Sequence, residues 1–112
     1  MSAQNQKNAV DTKVHKIVIQ LTSNDTLVHK ATVKQIHNIL TAAPKSKIEV
    51  VCHSQGLSFL LPAQSKQAAK IKEYKAQGVE FMACENTMRD QKVKREDLLP
   101  ESGTVPSGVT SR

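Results

Sequence analysis

The sequence predicts an α/β domain in three layers, a mainly parallel sheet sandwiched by helices that are joined through right-handed crossovers. Three observations carry this reading. The stretch Val14–Leu21 contains the consecutive β-branched residues Ile17-Val18-Ile19, the pattern of a strand covered on both faces. Strand-like and helix-like stretches then alternate along the chain. Pro44 and Gly78 punctuate the alternation, each closing a helical stretch before the next strand.

The first strand ends in Thr22-Ser23-Asn24-Asp25, which is dense in turn and N-cap residues. A helix is predicted from about Thr26 to Ala43. Val28, Thr32, Val33, Ile36, Ile39, Leu40 and Ala43 form its inner face, with His29 in the first turn and Lys30, Lys34 and Asn38 facing away. The second strand, Ile48–His53, sends Ile48, Val50 and Cys52 to one side and Glu49, Val51 and His53 to the other. Ser54-Gln55-Gly56 is a polar turn, and Leu57–Leu61 fits either a helical turn over the sheet edge or an interface segment. Ala63–Gln77 reads as a helix with Ala68, Ile71 and Tyr74 inward, and Val79–Cys84 as the third strand. Thr87-Met88-Arg89-Asp90 matches a capping box and predicts a short helix to about Val93. Arg95–Leu99 adds a turn before Pro100, and Gly103–Val105 a last short strand. Residues 1–12 are polar and predict a disordered tail ahead of one domain over residues 13–112.

Composition narrows the function. The aromatic residues are Phe59, Phe81 and Tyr74, so the core is aliphatic, and an identical partner is expected to finish its apolar surface. The net charge is +6, yet arginines number only three and stacking aromatics are scarce, which disfavours nucleic-acid binding. A solvated lysine face is the simpler cause of the basic balance. Cys52 and Cys84 show neither a CxxC nor zinc-type spacing to histidines, so no metal site is expected. No GxGxxG, P-loop or GxSxG occurs, and no cofactor is expected. Without a signal-type apolar region in residues 1–12 or a membrane-length apolar run, the chain reads as cytoplasmic with reduced thiols and no membrane contact.

Ligands of parallel α/β sheets bind beyond the carboxyl ends of the strands. Cys84 ends the third strand, His53 ends the second, and His29 opens the helix after the first; Ser23, Asn24 and Asp25 line the same rim. Cys84 is the chief candidate, because unpaired N–H groups and the dipole at a helix start favour a thiolate. Arg89, one turn on, adds positive charge, which Glu85 opposes. A thiolate attacks the sulfur of a disulfide or persulfide. The same position also suits a small apolar residue that closes a buried strand. His53 fits a base near Cys84 or a rim histidine bonded to a loop carbonyl. His29 reads as a partly buried helix histidine, and Cys52, alternating with Ile48 and Val50, as a buried inert thiol.

The runs Lys16-Ile17-Val18-Ile19-Gln20-Leu21-Thr22-Ser23, Ile36-His37-Asn38-Ile39-Leu40 and Glu49-Val50-Val51-Cys52-His53 with Gly56-Leu57 resemble the DsrE/DsrF-like family. So does Gly78-Val79-Glu80-Phe81-Met82-Ala83-Cys84-Glu85-Asn86-Thr87-Met88, followed by Leu98-Leu99-Pro100. Together these cover roughly residues 14 to 109. The resemblance implies a small Rossmann-like subunit assembled as a trimer or hexamer. It also implies a sulfur relay, in which the cysteine at the position of Cys84 carries a persulfide from a donor protein to an acceptor. Cys52 has no counterpart in that role, and Ser54 stands where relatives frequently have glycine. The expected function is therefore a sulfur carrier using Cys84. Two alternatives stay open: a non-catalytic oligomeric module binding a small ligand at the rim, and a redox-sensing thiol that would need Cys52 within disulfide reach.

Overall fold

The computed structural model describes residues 16–106. The expected tail over residues 1–12, and the start of the first predicted strand at Val14, lie outside that range. Nine elements follow one another: β1 (Lys16–Leu21), α1 (Thr26–Ala42), β2 (Lys47–Cys52), a 3₁₀ segment (Ser54–Leu60), α2 (Ala68–Ala76), β3 (Glu80–Cys84), α3 (Glu85–Gln91), a 3₁₀ turn (Arg95–Asp97) and β4 (Ser102–Val105). The sheet is parallel throughout, in the order β1-β2-β3-β4.

That order has a consequence for layering. Each strand is added on the same side of the one before it, so right-handed crossovers all fall on one face. The packing agrees. Val33 and Ile36 of α1, Ile71 and Tyr74 of α2, and Met88 of α3 join Ile48, Val50, Cys52, Phe81 and Ala83 of the sheet in a single buried cluster. Leu57, Phe59 and Leu60 of the 3₁₀ segment complete it. The opposite face carries Val18, Gln20, Glu49, Val51 and Met82, and among the described residues no helix packs there; Val51 at its middle is nonetheless fully buried, while Val18 on the edge strand is 40% exposed.

α1 starts where the sequence says, since Asp25 is its N-cap and Oδ1 accepts the Leu27 N–H at 2.8 Å. Such a cap is worth about 1 kcal/mol. Its buried stripe is His29, Thr32, Val33 and Ile36, while Val28, predicted inward, is 39% exposed. Val28 sits in the first turn, one step around the helix from the stripe. α2 is shorter than predicted. After Leu61 the chain makes a turn in which Gln64 and Ser65 N–H groups donate to the Leu61 carbonyl, so helix begins only at Ala68. Its end is a Schellman motif on Gly78 (φ 100°), with Gly78 N–H bonded to Lys75 O and Val79 N–H to Tyr74 O.

The predicted capping box at Thr87 is corrected. Chain continuity from β3 starts α3 at Glu85, with Cys84 at the N-cap position. Thr87 lies inside the helix, buried, and its hydroxyl accepts the Ser54 N–H at 3.0 Å. α3 ends in the same motif as α2, but Lys92 occupies the left-handed position at φ 58°. The short stretch after β2 resolves into the 3₁₀ segment, buried from Gly56 to Leu60. Gly56 has no room for a side chain: a Cβ would lie 2.0 Å from the Leu21 carbonyl oxygen and 2.9 Å from Thr22 Cα.

Two substitutions test these backbone constraints. Gly56→Ala is expected to cost at least about 2 kcal/mol, because the methyl meets backbone that cannot swing away; a neutral result in urea denaturation would contradict the close approach. Lys92→Gly is expected to add up to about 1 kcal/mol by removing the left-handed penalty, raising Tm by ~4–8 °C in a domain of this size.

Candidate functional site

The strand register builds the carboxyl rim. Leu21, Cys52, Ala83 and Thr104 form one row across the sheet, on the helix side. The next step along each strand reaches Thr22, His53, Cys84 and Val105, with Cys84 paired directly to Val105. Strand side chains alternate, so this row projects on the face away from the helices. His53 and Cys84 thus share a face and an edge. Cys84 is free and 3% exposed, and as N-cap residue it makes no side-chain capping bond.

His53 is half-buried, and both ring nitrogens are engaged. Nε2–H donates to Gln20 Oε1 at 3.0 Å, and the Ser54 hydroxyl donates to Nδ1 at 3.3 Å. Neither partner is the cysteine. Ser54 itself sits at φ 55°, the left-handed region that favours glycine. That conformation lets its N–H reach Thr87 while its carbonyl accepts from Gln91 Nε2 at 2.9 Å.

The other predicted rim residues are occupied locally or lie elsewhere. Ser23 Oγ accepts the Asp25 N–H, Asp25 caps α1, and Asn24 is exposed. His29 is 1% exposed on the helix side of the sheet, where Nε2–H donates to the Ser23 carbonyl at 2.6 Å. Its ring meets Phe59 edge-on at 5.1 Å, and its buried Nδ1 has no hydrogen-bond partner. His29 therefore holds the β1–α1 loop against the core rather than lining the rim beside Cys84. Arg89 bonds Asn86 and faces a cavity of about 270 Å³ together with Glu85, Met88, Val93, Arg95 and Thr104. Arg95 and Thr104 were not singled out by sequence. Arg95 Nη1 donates to Thr104 Oγ1 at 3.3 Å, and Thr104 donates to Glu85 Oε2 at 2.8 Å, tying β4 to the residue after Cys84. No local motif signals a bond between residues 19 apart.

The two cysteines differ through one step of register. Cys52 belongs to the core row and is fully buried, and this burial pushes its thiol far above the ordinary range. Cys84 belongs to the next row and leaves the sheet on the opposite face. Their Cβ vectors diverge, so the pair cannot close a disulfide without backbone movement, which removes Cys52 as a resolving thiol. Among the described residues, no three His, Cys, Asp or Glu side chains gather as a metal site, and no helix is long and apolar enough to cross a membrane.

These features define a small parallel α/β protein in which Cys84 lies at the carboxyl edge of the sheet, one register row beyond the sealed Cys52. The DsrE/DsrF-like family model matches residues 15–111, and the chain belongs to that family. The solved structure of MTH1491 from Methanobacterium thermoautotrophicum, itself a protein of unknown function, is similar at 29% identity and a TM-score of 0.79, over 84% of each chain. The ychN protein of E. coli shares the fold at 11% identity and a TM-score of 0.66, over 85% of each chain. No curated protein matches.

Burial of Cys52 makes a pH-dependent prediction. Above pH ~8.5 the unfolded thiol ionises while the folded one keeps its proton, so the unfolded state binds fewer protons. Stability contributed by the buried thiol is complete below that pH and declines above it by about 1.4 kcal/mol per unit. Urea denaturation of wild type and Cys52→Ala between about pH 8 and pH 10 is expected to show the gap between them narrowing as pH rises. A gap independent of pH would refute the sealed thiol.

Proposed function

We propose that the protein is a sulfur carrier in which Cys84 takes up a sulfane sulfur as a persulfide and passes it to an acceptor thiol. The observation that carries this reading is the asymmetry of the cysteines within a family linked to sulfur relay: one is sealed in the core, the other stands at the carboxyl edge. In the uptake step, the Cys84 thiolate attacks the outer sulfur of the donor persulfide. The donor S–S bond breaks, a Cys84 Sγ–S bond forms, and the donor leaves as a thiolate. Delivery is the same exchange with the acceptor thiol attacking. Both steps move a sulfur atom with its electrons balanced, and neither needs an oxidant or reductant.

Cys84 is 3% exposed, so exchange in this reading proceeds through local opening at α3, a helix of only seven residues. Protein donors and acceptors are the partners, in a reducing, cytoplasmic setting. The sheet face left bare of helices is the surface on which identical subunits would assemble as a trimer or hexamer. The alternative of a small-ligand rim draws less support, because Ser23 and Asp25 are already bonded within their own loop.

Incubation with a low-molecular-weight persulfide followed by intact mass spectrometry tests the carrier. Wild type and Cys52→Ala are expected to gain one sulfur that a reductant removes, and Cys84→Ser none. Retention of the added sulfur by Cys84→Ser, or no gain in wild type, would sink the proposal.

A further inference from the structure

Charge is segregated along this chain. Of the 16 Lys and Arg and 10 Asp and Glu, residues 26–78 hold eight lysines against only Glu49 and Glu73, leaving eight of each sign elsewhere. The entire +6 excess thus falls on the segment that builds α1, β2 and α2. α1 contains no acidic residue in its 17 positions.

Three of these eight lysines line one cavity. A hollow of about 290 Å³ between α1 and α2 is lined by Lys30, Val33, Lys34, His37, Gln67, Lys70 and Tyr74, with no carboxylate on its wall. Tyr74 is 5% exposed and its hydroxyl pairs with His37 Nδ1 at 3.5 Å. The lining supplies hydrogen-bond donors from three lysines and the Gln67 carboxamide. Glu73 pairs with Lys70 at 3.5 Å, but both side chains are about half exposed, so solvent screens the pair and the ammonium stays available.

We propose that this groove binds a small anion carrying a diphosphate group. Three lysines around so small a hollow repel one another, and a ligand of three to four negative charges with acceptors on every oxygen relieves that repulsion. A single carboxylate would leave most of the donors unmatched. The cavity is at the low end of ligand-pocket volumes, which suits a diphosphate better than an extended polymer. The scarcity of stacking aromatics removes the usual second component of single-stranded nucleic-acid binding. The site lies on the helical layer, whereas Cys84 projects from the other face of the sheet, so it is independent of the sulfur-carrier reading.

Titration of the full chain with inorganic pyrophosphate, followed by amide NMR shifts at ~50 mM salt, tests the proposal. Saturable shifts confined to α1 and the start of α2 are expected. Lys30→Glu with Lys34→Glu should weaken binding at least ~tenfold, and Lys70→Gln alone ~threefold or more, whereas Lys45→Glu with Lys72→Glu, the same charge change outside the cavity, should weaken it less than ~threefold. Cys84→Ser should bind as wild type does. Absence of saturation by ~10 mM, equal losses in the two double variants, or sulfate binding as tightly as pyrophosphate would each overturn it.

Discussion

The carboxyl rim of this protein depends on a four-residue knot immediately after β2. His53 N–H donates to the Leu21 carbonyl at 3.1 Å, and Gly56 lies directly against the same carbonyl and the Thr22 backbone. Ser54 donates to Thr87 and accepts from Gln91. The ends of β1 and β2 are thereby fixed to each other by main-chain groups, and the Thr87 and Gln91 side chains tie α3 to the same loop. The main-chain contacts between the two strand ends are stiff, because no rotamer change relieves them. Ser54 adopts a left-handed conformation to serve two partners at once, and the local cost is offset by two satisfied backbone groups in a partly buried place.

Behind that rim, the sheet sorts its two thiols by parity. Consecutive register rows face opposite sides, so a single residue step separates a cysteine with an inaccessible proton from one at the edge. Hydrophobic packing enforces the sorting. Cys52 lies in the same cluster as Phe59 and Phe81, whose rings sit 6.1 Å apart, and slipping β2 by one residue would bring Glu49 and His53 into that cluster. The sealed Cys52 on one face and the rim position of Cys84 on the other follow from one register.

The helical layer adds a second asymmetry. Its apolar stripe is used on the core, while its outer surface is rich in lysine, with Lys30, Lys34 and Lys70 around the α1–α2 hollow. The sheet face on which no described helix packs and the lysine-rich face of the helices are thus chemically distinct surfaces on opposite sides of one sheet.

The sequence by itself determined the parallel α/β class, the order of elements, the N-cap at Asp25, the helix stop at Gly78 and the burial of Cys52. All of these rest on interactions between residues near in sequence or on alternation within one strand. Tertiary structure decided the rest. It set every described helix on one face, because strand order is a long-range choice that local periodicity does not encode. It turned Thr87 from an expected cap into the acceptor for Ser54, and gave both nitrogens of His53 to Gln20 and Ser54. It drew His29 into the core against Phe59, and it gathered lysines from two helices around one hollow. Each of these is a contact between segments far apart in the chain, and only the packed backbone sets the distance between them.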